Sequence, residues 1–374
     1  MKQPLNECKL ILQFYLFKIP LILLCLLLHP TIAVTPQGIC LGVIDDYHWY
    51  RKQLKEKTRH EKNVENLRTP IEDKESYRWV RGYQKANSIA HKLPMCQIVS
   101  IADREADIYD IYNEASLSHS QAKWLIRSIK NRPLVEKEGR RAPHKLWDSV
   151  RKEPVTKYRT FEFLSRGSKP ARKVTQVIRS KTVCLHPPIG RRGKLRMKPV
   201  FANAIIASEV NPPLGEKPIE WLLLTNLEID SSEKRLSILQ YYICRWQIEV
   251  FFRILKSGCR VEKLQLTCEK RYSPCLALYL IIAWRILYLT LLSRFDPHRS
   301  CEPFFSSVEW KTVYLVTKQK RPPDQPPSFS TVLLMVASLG GFLKRKGDKF
   351  PGPTAIWIGL QRLKDFTLTA NTYG

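Results

Sequence analysis

The chain has 374 residues, 44% of them apolar, which suits two or three domains with a sizeable core and excludes wholesale disorder. Its 62 Lys and Arg against 34 Asp and Glu leave a formal charge of +28, an excess that an enzyme acting on small neutral substrates has little reason to carry. A polyanionic partner is implied, nucleic acid ahead of an anionic membrane surface.

Residues 9–28, KLILQFYLFKIPLILLCLLL, follow Lys2 and have the look of a signal-peptide core or short membrane span. Lys18 and Pro20 interrupt the run and no small-x-small cleavage site follows it. A secretion signal and a core strand compete for this segment, and a third reading treats it as foreign to the fold. HPTIAVTPQGICLGVIDD, residues 29–46, predicts a hairpin about a Thr-Pro-Gln-Gly turn. The charged stretch 51–93 becomes amphipathic near Tyr77, Trp79 and Ile89, as a surface helix does. In CQIVSIADREADIYDIYNEA, residues 96–115, a buried strand through Ile98, Val99 and Ile101 ends at Asp103 and a helical pattern begins; KWLIRSIKN, residues 123–131, is the next strand.

From 133 to 220 short β-like runs alternate with Pro and Gly clusters. Between Arg166 and Lys198 there are eleven Lys or Arg and no Asp or Glu. A solvated loop is the bland account, but so one-sided a run beside Ile178 and Val183 predicts a basic surface laid against phosphates. EWLLLTNLEI, residues 220–229, reads as a buried strand leading through a Ser-Ser cap into the helix YYICRWQIEVFFRILKSG, residues 241–258. CLALYLIIAWRILYLTLL, residues 275–292, has marginal length for a membrane span, and Arg285 at its centre favours a buried helix. Helical segments at 330–346 and 354–365 are joined by RKGDKFPGP. The ten cysteines form no CxxC pair and read as reduced; Cys244, Cys259, Cys268 and Cys275 do not fit a zinc-knuckle spacing.

On a helix turning about 100° per residue, Tyr242, Arg245, Glu249 and Lys256 point within roughly 60° of one another, while Ile248, Phe251, Ile254 and Leu255 can bury the rest. Asp103 at a strand end and Glu249 on a later helix are hard-oxygen donors of the kind two-metal phosphoryl transfer uses, with ions about 3.5–4 Å apart. Two carboxylates are too few for such a site, which ordinarily takes a third from the neighbouring central strand. The bland readings are a helix N-cap for Asp103 and ion pairing with Arg245 or Arg253 for Glu249.

The spacing Y-x2-R-x3-E-x6-K, filled by Tyr242, Arg245, Glu249 and Lys256, resembles the signature of the IS-four group of bacterial insertion-sequence transposases. ADREADIY, residues 102–109, looks like the segment carrying that group's second catalytic aspartate, and EWLLLT, residues 220–225, precedes the Tyr-Arg-Glu-Lys helix at the matching distance. The resemblance runs from about residue 29 to the C-terminus and includes LGGFLKRKGD and PGPTAIWIGLQRL. It implies an α/β fold: an RNase H-like core with a β-rich insertion and a helical C-terminal region that dimerises. The implied segments are an atypical apolar leader at 1–28, the first part of the core at 29–132, the basic β-rich insertion at 133–220, the second part of the core at 221–295 and the dimerisation region at 296–374.

The resemblance further implies cut-and-paste DNA transposition: cleavage at transposon ends dependent on Mg2+ or Mn2+, a hairpin intermediate on the transposon end, and strand transfer into target DNA. The partners would be transposon-end and target DNA and a second copy of the chain, in the bacterial cytoplasm on the nucleoid, with no small-molecule substrate and no membrane role. Asp103 and Glu249 would be the catalytic metal ligands; Tyr242, Arg245, Lys256, Trp221, Arg127 and Arg253 would contact DNA, Trp221 by stacking on a flipped base. Without the resemblance, Trp221 reads as a core residue at a strand start. The pattern breaks at the start, because nothing acidic lies between Glu7 and Asp45 and no DNA-binding domain precedes the core. The expectation is a truncated or frameshifted copy with impaired catalysis; the alternative is a non-catalytic DNA-binding, dimerising remnant that inhibits a full-length transposase.

Overall fold

The computed structural model describes residues 8–14, 17–20, 25–51, 58, 60–61, 64–65, 69–117, 119–136, 140–163, 171–188, 197–264, 266, 269–345, 348 and 350–373. In chain order the elements are β1 (Cys8–Phe14), β2 (Phe17–Pro20), β3 (Cys25–Val34), β4 (Cys40–Arg51), α1 (Tyr77–Lys92), β5 (Cys96–Ala102), α2 (Tyr109–Ala115), β6 (Lys123–Arg127), α3 (Leu146–Arg151), β7 (Lys157–Phe163), β8 (Arg172–Leu185), β9 (Val200–Glu209) and β10 (Glu220–Thr225). Helices then dominate: α4 (Ser232–Cys244), α5 (Trp246–Arg253), a π-helical turn (Ile254–Gly258), α6 (Glu269–Phe295), α7 (Ser307–Lys318), α8 (Phe329–Leu339) and α9 (Pro353–Tyr373). The fold is mixed α/β. It divides into two compact units, one of Met1–Phe14 with Lys52–Arg245 and the other of Tyr15–Arg51 with Trp246–Gly374.

The first unit is built on a mixed sheet in the order β1-β5-β6-β10-β9-β8-β7. Strands β1, β5 and β6 run parallel, and β10 turns the pairing antiparallel for the rest. Parallel strands are covered on both faces, so they read as near-continuous apolar runs. Ile98, Val99 and Ile101 of β5 are buried as the sequence predicts, and so are Ile11 and Leu12 of β1. Of the readings open for the apolar start, residues 8–14 take that of a core strand. Helix α1 buries Trp79, Val80, Tyr83, Ala86 and Ala90 along one stripe, and the Tyr83 hydroxyl donates to the Ala122 carbonyl at 2.8 Å.

Residues 133–220 depart from the expected short strands. β8 is 14 residues long and buries Val174, Ile178, Val183 and Leu185, because the Pro and Gly clusters punctuate the ends of the strands and not their interiors. The same stretch holds helix α3, whose Leu146, Trp147 and Val150 are buried. Much of the Arg166–Lys198 run, residues 166–170 and 189–196, lies outside the described residues.

In the second unit β3 pairs antiparallel with β2 and β4. The predicted hairpin turn is present: Gly38 N–H donates to the Thr35 carbonyl at 2.8 Å, and its φ of 91° is one that glycine adopts without steric cost. Helix α7 starts with a reciprocal capping box between Ser306 and Glu309, the Ser-x-x-Glu pattern that marks a helix start. Helices α8 and α9 meet at two glycines. A Cβ on Gly340 would lie 1.8 Å from the Ala355 carbonyl oxygen, and one on Gly359 1.9 Å from that of Val336. LGGF and WIGL therefore have a packing reason.

Helix α6 is only half-buried, contrary to the buried helix expected. Leu276, Leu280, Ala283 and Leu287 are enclosed while Leu278 and Ile281 are 63% and 55% exposed, and Trp284 Nε1 donates to the Cys40 carbonyl at 3.1 Å. By length and composition its Lys270–Phe295 portion could cross a membrane. The cysteines depart in part from the reduced state expected: Cys96 is disulfide-bonded, whereas Cys40, Cys184, Cys244, Cys259, Cys275 and Cys301 are free. Cys268 lies outside the described residues.

Candidate nucleic-acid interface

The expected single helix is interrupted. α4 ends at Cys244, Arg245 forms a turn, α5 covers Trp246–Arg253, and a π turn follows in which Cys259 N–H donates to the Ile254 carbonyl at 2.8 Å. A uniform 100° step therefore does not describe residues 242–256, and the shared face predicted for the four polar groups does not follow from helical geometry. The motif is also divided: Tyr242 and Arg245 close the first unit, while Glu249, Arg253 and Lys256 belong to the second. Glu249 is half-buried, Arg253 exposed, and Lys256 Nζ lies 3.7 Å from Glu262 Oε1.

The first unit brings several predicted residues together around Tyr242. β10 places Trp221 at its start, with the Trp221 and Tyr242 rings edge to face at 5.7 Å. The Arg245 guanidinium lies 5.8 Å from the Tyr242 ring centroid. Burial pushes the Tyr242 phenol up; the positive charges of Arg245 and Arg127 oppose that shift, and Asp103 adds to it. Arg127 at the end of β6 donates to the Glu220 carbonyl at 3.2 Å. Asp103, Arg127, Trp221, Tyr242 and Arg245 thus form one neighbourhood.

Asp103 sits one residue past the end of β5, and its Oδ1 accepts from Glu105 N–H at 3.0 Å. The N-cap reading is realised, for a 3-10 turn at Arg104–Ala106 and not for a continuous helix. On the neighbouring strand β1, where a third carboxylate was expected, the residue opposite Ile101 is Gln13, a buried neutral amide whose Nε2 donates to the Cys244 carbonyl at 2.5 Å. Among the described residues no three His, Cys, Asp or Glu side chains gather as a metal site. The donor set does not fit a divalent-metal centre in the first unit, which offers one carboxylate beside Tyr242.

Three residues escaped sequence reasoning. Asp107, four positions after Asp103, has a fully enclosed side chain that accepts from Tyr112 Oη (2.8 Å), Ser128 Oγ (2.7 Å), Ile129 N (2.9 Å), Lys130 N (3.0 Å) and Arg132 Nη2 (2.5 Å). Burial by itself raises the Asp107 pKa, but the charge of Arg132 and the hydrogen bonds outweigh it and hold the carboxyl below its usual value. This pair fixes the loop that follows Arg127. The third is Arg159 on β7, whose guanidinium carbon lies 5.5 Å from the Trp221 ring centroid and 5.1 Å from that of Phe161. Nothing local to SIADREADIY separates the two aspartates, and nothing in KYRTFEF points to a tryptophan on another strand.

In the basic run, the described members are partly engaged within the sheet. Arg172 is forked onto Glu209, Lys181 Nζ is 2.8 Å from Glu153 Oε1, and Arg179 Nε donates to the Glu153 carbonyl at 3.1 Å. Arg151 is likewise forked onto Glu220 at 2.7 and 2.8 Å. Stacking surfaces with cations at their edges suit nucleic acid, where rings take bases and cations take phosphates.

Residues 281–373 match the family described as the transposase Tn5 dimerisation domain. The match is confined to the C-terminal part of the chain. Among solved structures the chain is similar to one described as the piggyBac transposase synaptic complex with hairpin DNA, at 9% identity over 78% of this chain and 49% of that one, with a TM-score of 0.30. That score is below what establishes a common fold, and the chain spans about half the length of that transposase.

Proposed function

We propose that this protein is a DNA transposase of the cut-and-paste type whose catalysis is impaired, with an RNase H-like core, and that it binds DNA as a homodimer. The match of residues 281–373 to the Tn5 dimerisation domain carries this reading. The charge of +28 and the cationic, aromatic neighbourhood of Tyr242 agree with a DNA partner. In this reading Tyr242, Arg245, Arg127, Arg253 and Lys256 are phosphate contacts and Trp221 a stacking platform.

Asp103 and Glu249 are the carboxylates proposed for Mg2+ or Mn2+. The first unit offers Asp103 with a neutral Gln13 on the adjacent strand, a donor set one carboxylate short of what two metal ions need. That same incomplete donor set favours the second reading, a DNA-binding and dimerising protein that mixes with an intact transposase and inhibits it.

The test uses the full chain with DNA fragments flanking its own gene. Salt-sensitive binding with a dimer-sized complex is expected; monomeric behaviour together with no DNA binding would sink the proposal. Nicking of those fragments in Mg2+ would favour the active transposase, and binding without nicking the inhibitor.

A further inference from the structure

A desolvated cation is costly unless an anion or a set of acceptors accompanies it. Two arginines of the first unit illustrate that rule: Arg132 has Asp107 and Arg172 has Glu209. Arg159 does not. Its Nη1 is enclosed with no hydrogen-bond partner, and no carboxylate among the described residues pairs with it. Burial alone pulls its pKa below the usual arginine value. The residue as a whole is half-buried, and its Nε and Nη2 are not among the enclosed polar atoms, so one edge of the guanidinium is buried and the other is left for a ligand.

Its placement follows from the strand register. Trp221 is opposite Ala207, Ala207 opposite Ile178, and Ile178 opposite Lys157, across β10, β9, β8 and β7. Opposed residues share a face, and residues two apart on a strand share it too, so Arg159 and Phe161 stand on the same face as Trp221. Ala207 and Ile178 between them are fully buried, which forms an apolar floor under the guanidinium. Two rings within 5.5 Å hold the guanidinium as a planar group, the arrangement that favours bidentate recognition of a phosphate over a mobile point charge.

We propose that Arg159 is a phosphodiester-binding residue, its guanidinium held on the Trp221–Phe161 shelf so that its Nε–Nη2 edge takes a backbone phosphate of a nucleic-acid strand lying over Trp221. This rests on the DNA reading above and adds a residue that the Tyr-Arg-Glu-Lys resemblance does not contain. The competing account is internal: Gln176, opposite Arg159 in the ladder, leaves its buried Oε1 without a partner, and the two side chains could satisfy each other.

The experiment titrates the full chain, wild type, R159Q and R159K, against a fluorescein-labelled DNA duplex with a frayed end at several salt concentrations, with thermal melts to establish folding. Loss of one phosphate contact lowers the slope of log K against log salt by about 0.9, so the affinity lost between about 50 and 200 mM salt shrinks roughly 3.5-fold. R159Q is expected to show that smaller slope, and R159K to keep the wild-type slope with weaker binding. A folded R159Q with wild-type slope and affinity overturns the assignment in favour of the internal pair. If R159Q does not fold, R159K decides: weaker binding supports the phosphate role and unchanged affinity overturns it. A wild-type chain with no salt-dependent DNA binding removes the DNA reading, and the role of Arg159 falls with it.

Discussion

Two polar centres of the first unit differ in a way that separates structure from function. Around Asp107 a carboxylate inaccessible to solvent receives five donors, including the Arg132 guanidinium. Around Trp221 the cations of Arg159 and Arg245 lie against rings, and the half-buried Asp103 accepts from Glu105 N–H. A saturated buried centre holds a loop in place and has nothing left to offer a ligand. A centre with desolvated charge and open rings is costly alone and is stabilised by what binds it.

The largest expected effect tests the saturated centre. Asp107→Ala leaves Arg132 enclosed without its anion and should cost about 3–5 kcal/mol in chemical denaturation; a loss below about 1 kcal/mol would remove the distinction between the two centres. The pH dependence has a definite sign. The folded Asp107 pKa is depressed, so its stabilisation is present above the unfolded carboxyl value and is lost as pH falls through the folded one. Acid titration of wild type against Asp107→Asn should show a shallower acid limb in the variant.

The next effect is one of shape, in the second unit. Gly359→Ala places a methyl 1.9 Å from the Val336 carbonyl oxygen and should cost about 1–3 kcal/mol or more in a thermal melt. A neutral result would mean that α8 and α9 separate freely. Asp103→Ala removes one capping hydrogen bond and should cost about 1 kcal/mol, well under the Asp107 variant four residues away. Arg159→Gln is expected to lie within about 0.5 kcal/mol of wild type, since Nη1 has no hydrogen bond to lose, while changing DNA binding. If it destabilised the fold as much as Asp107→Ala, Arg159 would belong with the saturated group.

Much of the fold was legible because its signals are local. The Thr35–Gly38 turn needs a glycine at positive φ, β5 announces itself by consecutive buried aliphatics, and the Ser231 side chain caps α4 by accepting from Lys234 N–H as the Ser-Ser pair suggested. The long β8 and helix α3 were missed because Pro and Gly mark where strands end without saying how far they run between marks. The interrupted helix at 244–258 was missed for a related reason: a π turn keeps the same apolar residues buried while changing the step, so periodicity does not reveal it.

For the candidate site, the residue types were readable and the partners were not. Composition alone determined a strongly basic chain, helical spacing singled out Tyr242 and Arg245, the end of a strand pattern singled out Asp103, and Trp221 came only from the family resemblance. Only the tertiary structure decided that Asp107 is consumed by Arg132, that Gln13 and not a carboxylate faces Ile101, and that Arg159 lies on Trp221. The physical reason is register. Gln13, Arg159 and Trp221 are faced by pairing between strands distant in sequence, where a one-residue slip would turn each to the other face, while Asp107 and Arg132 meet in the segments that follow β5 and β6.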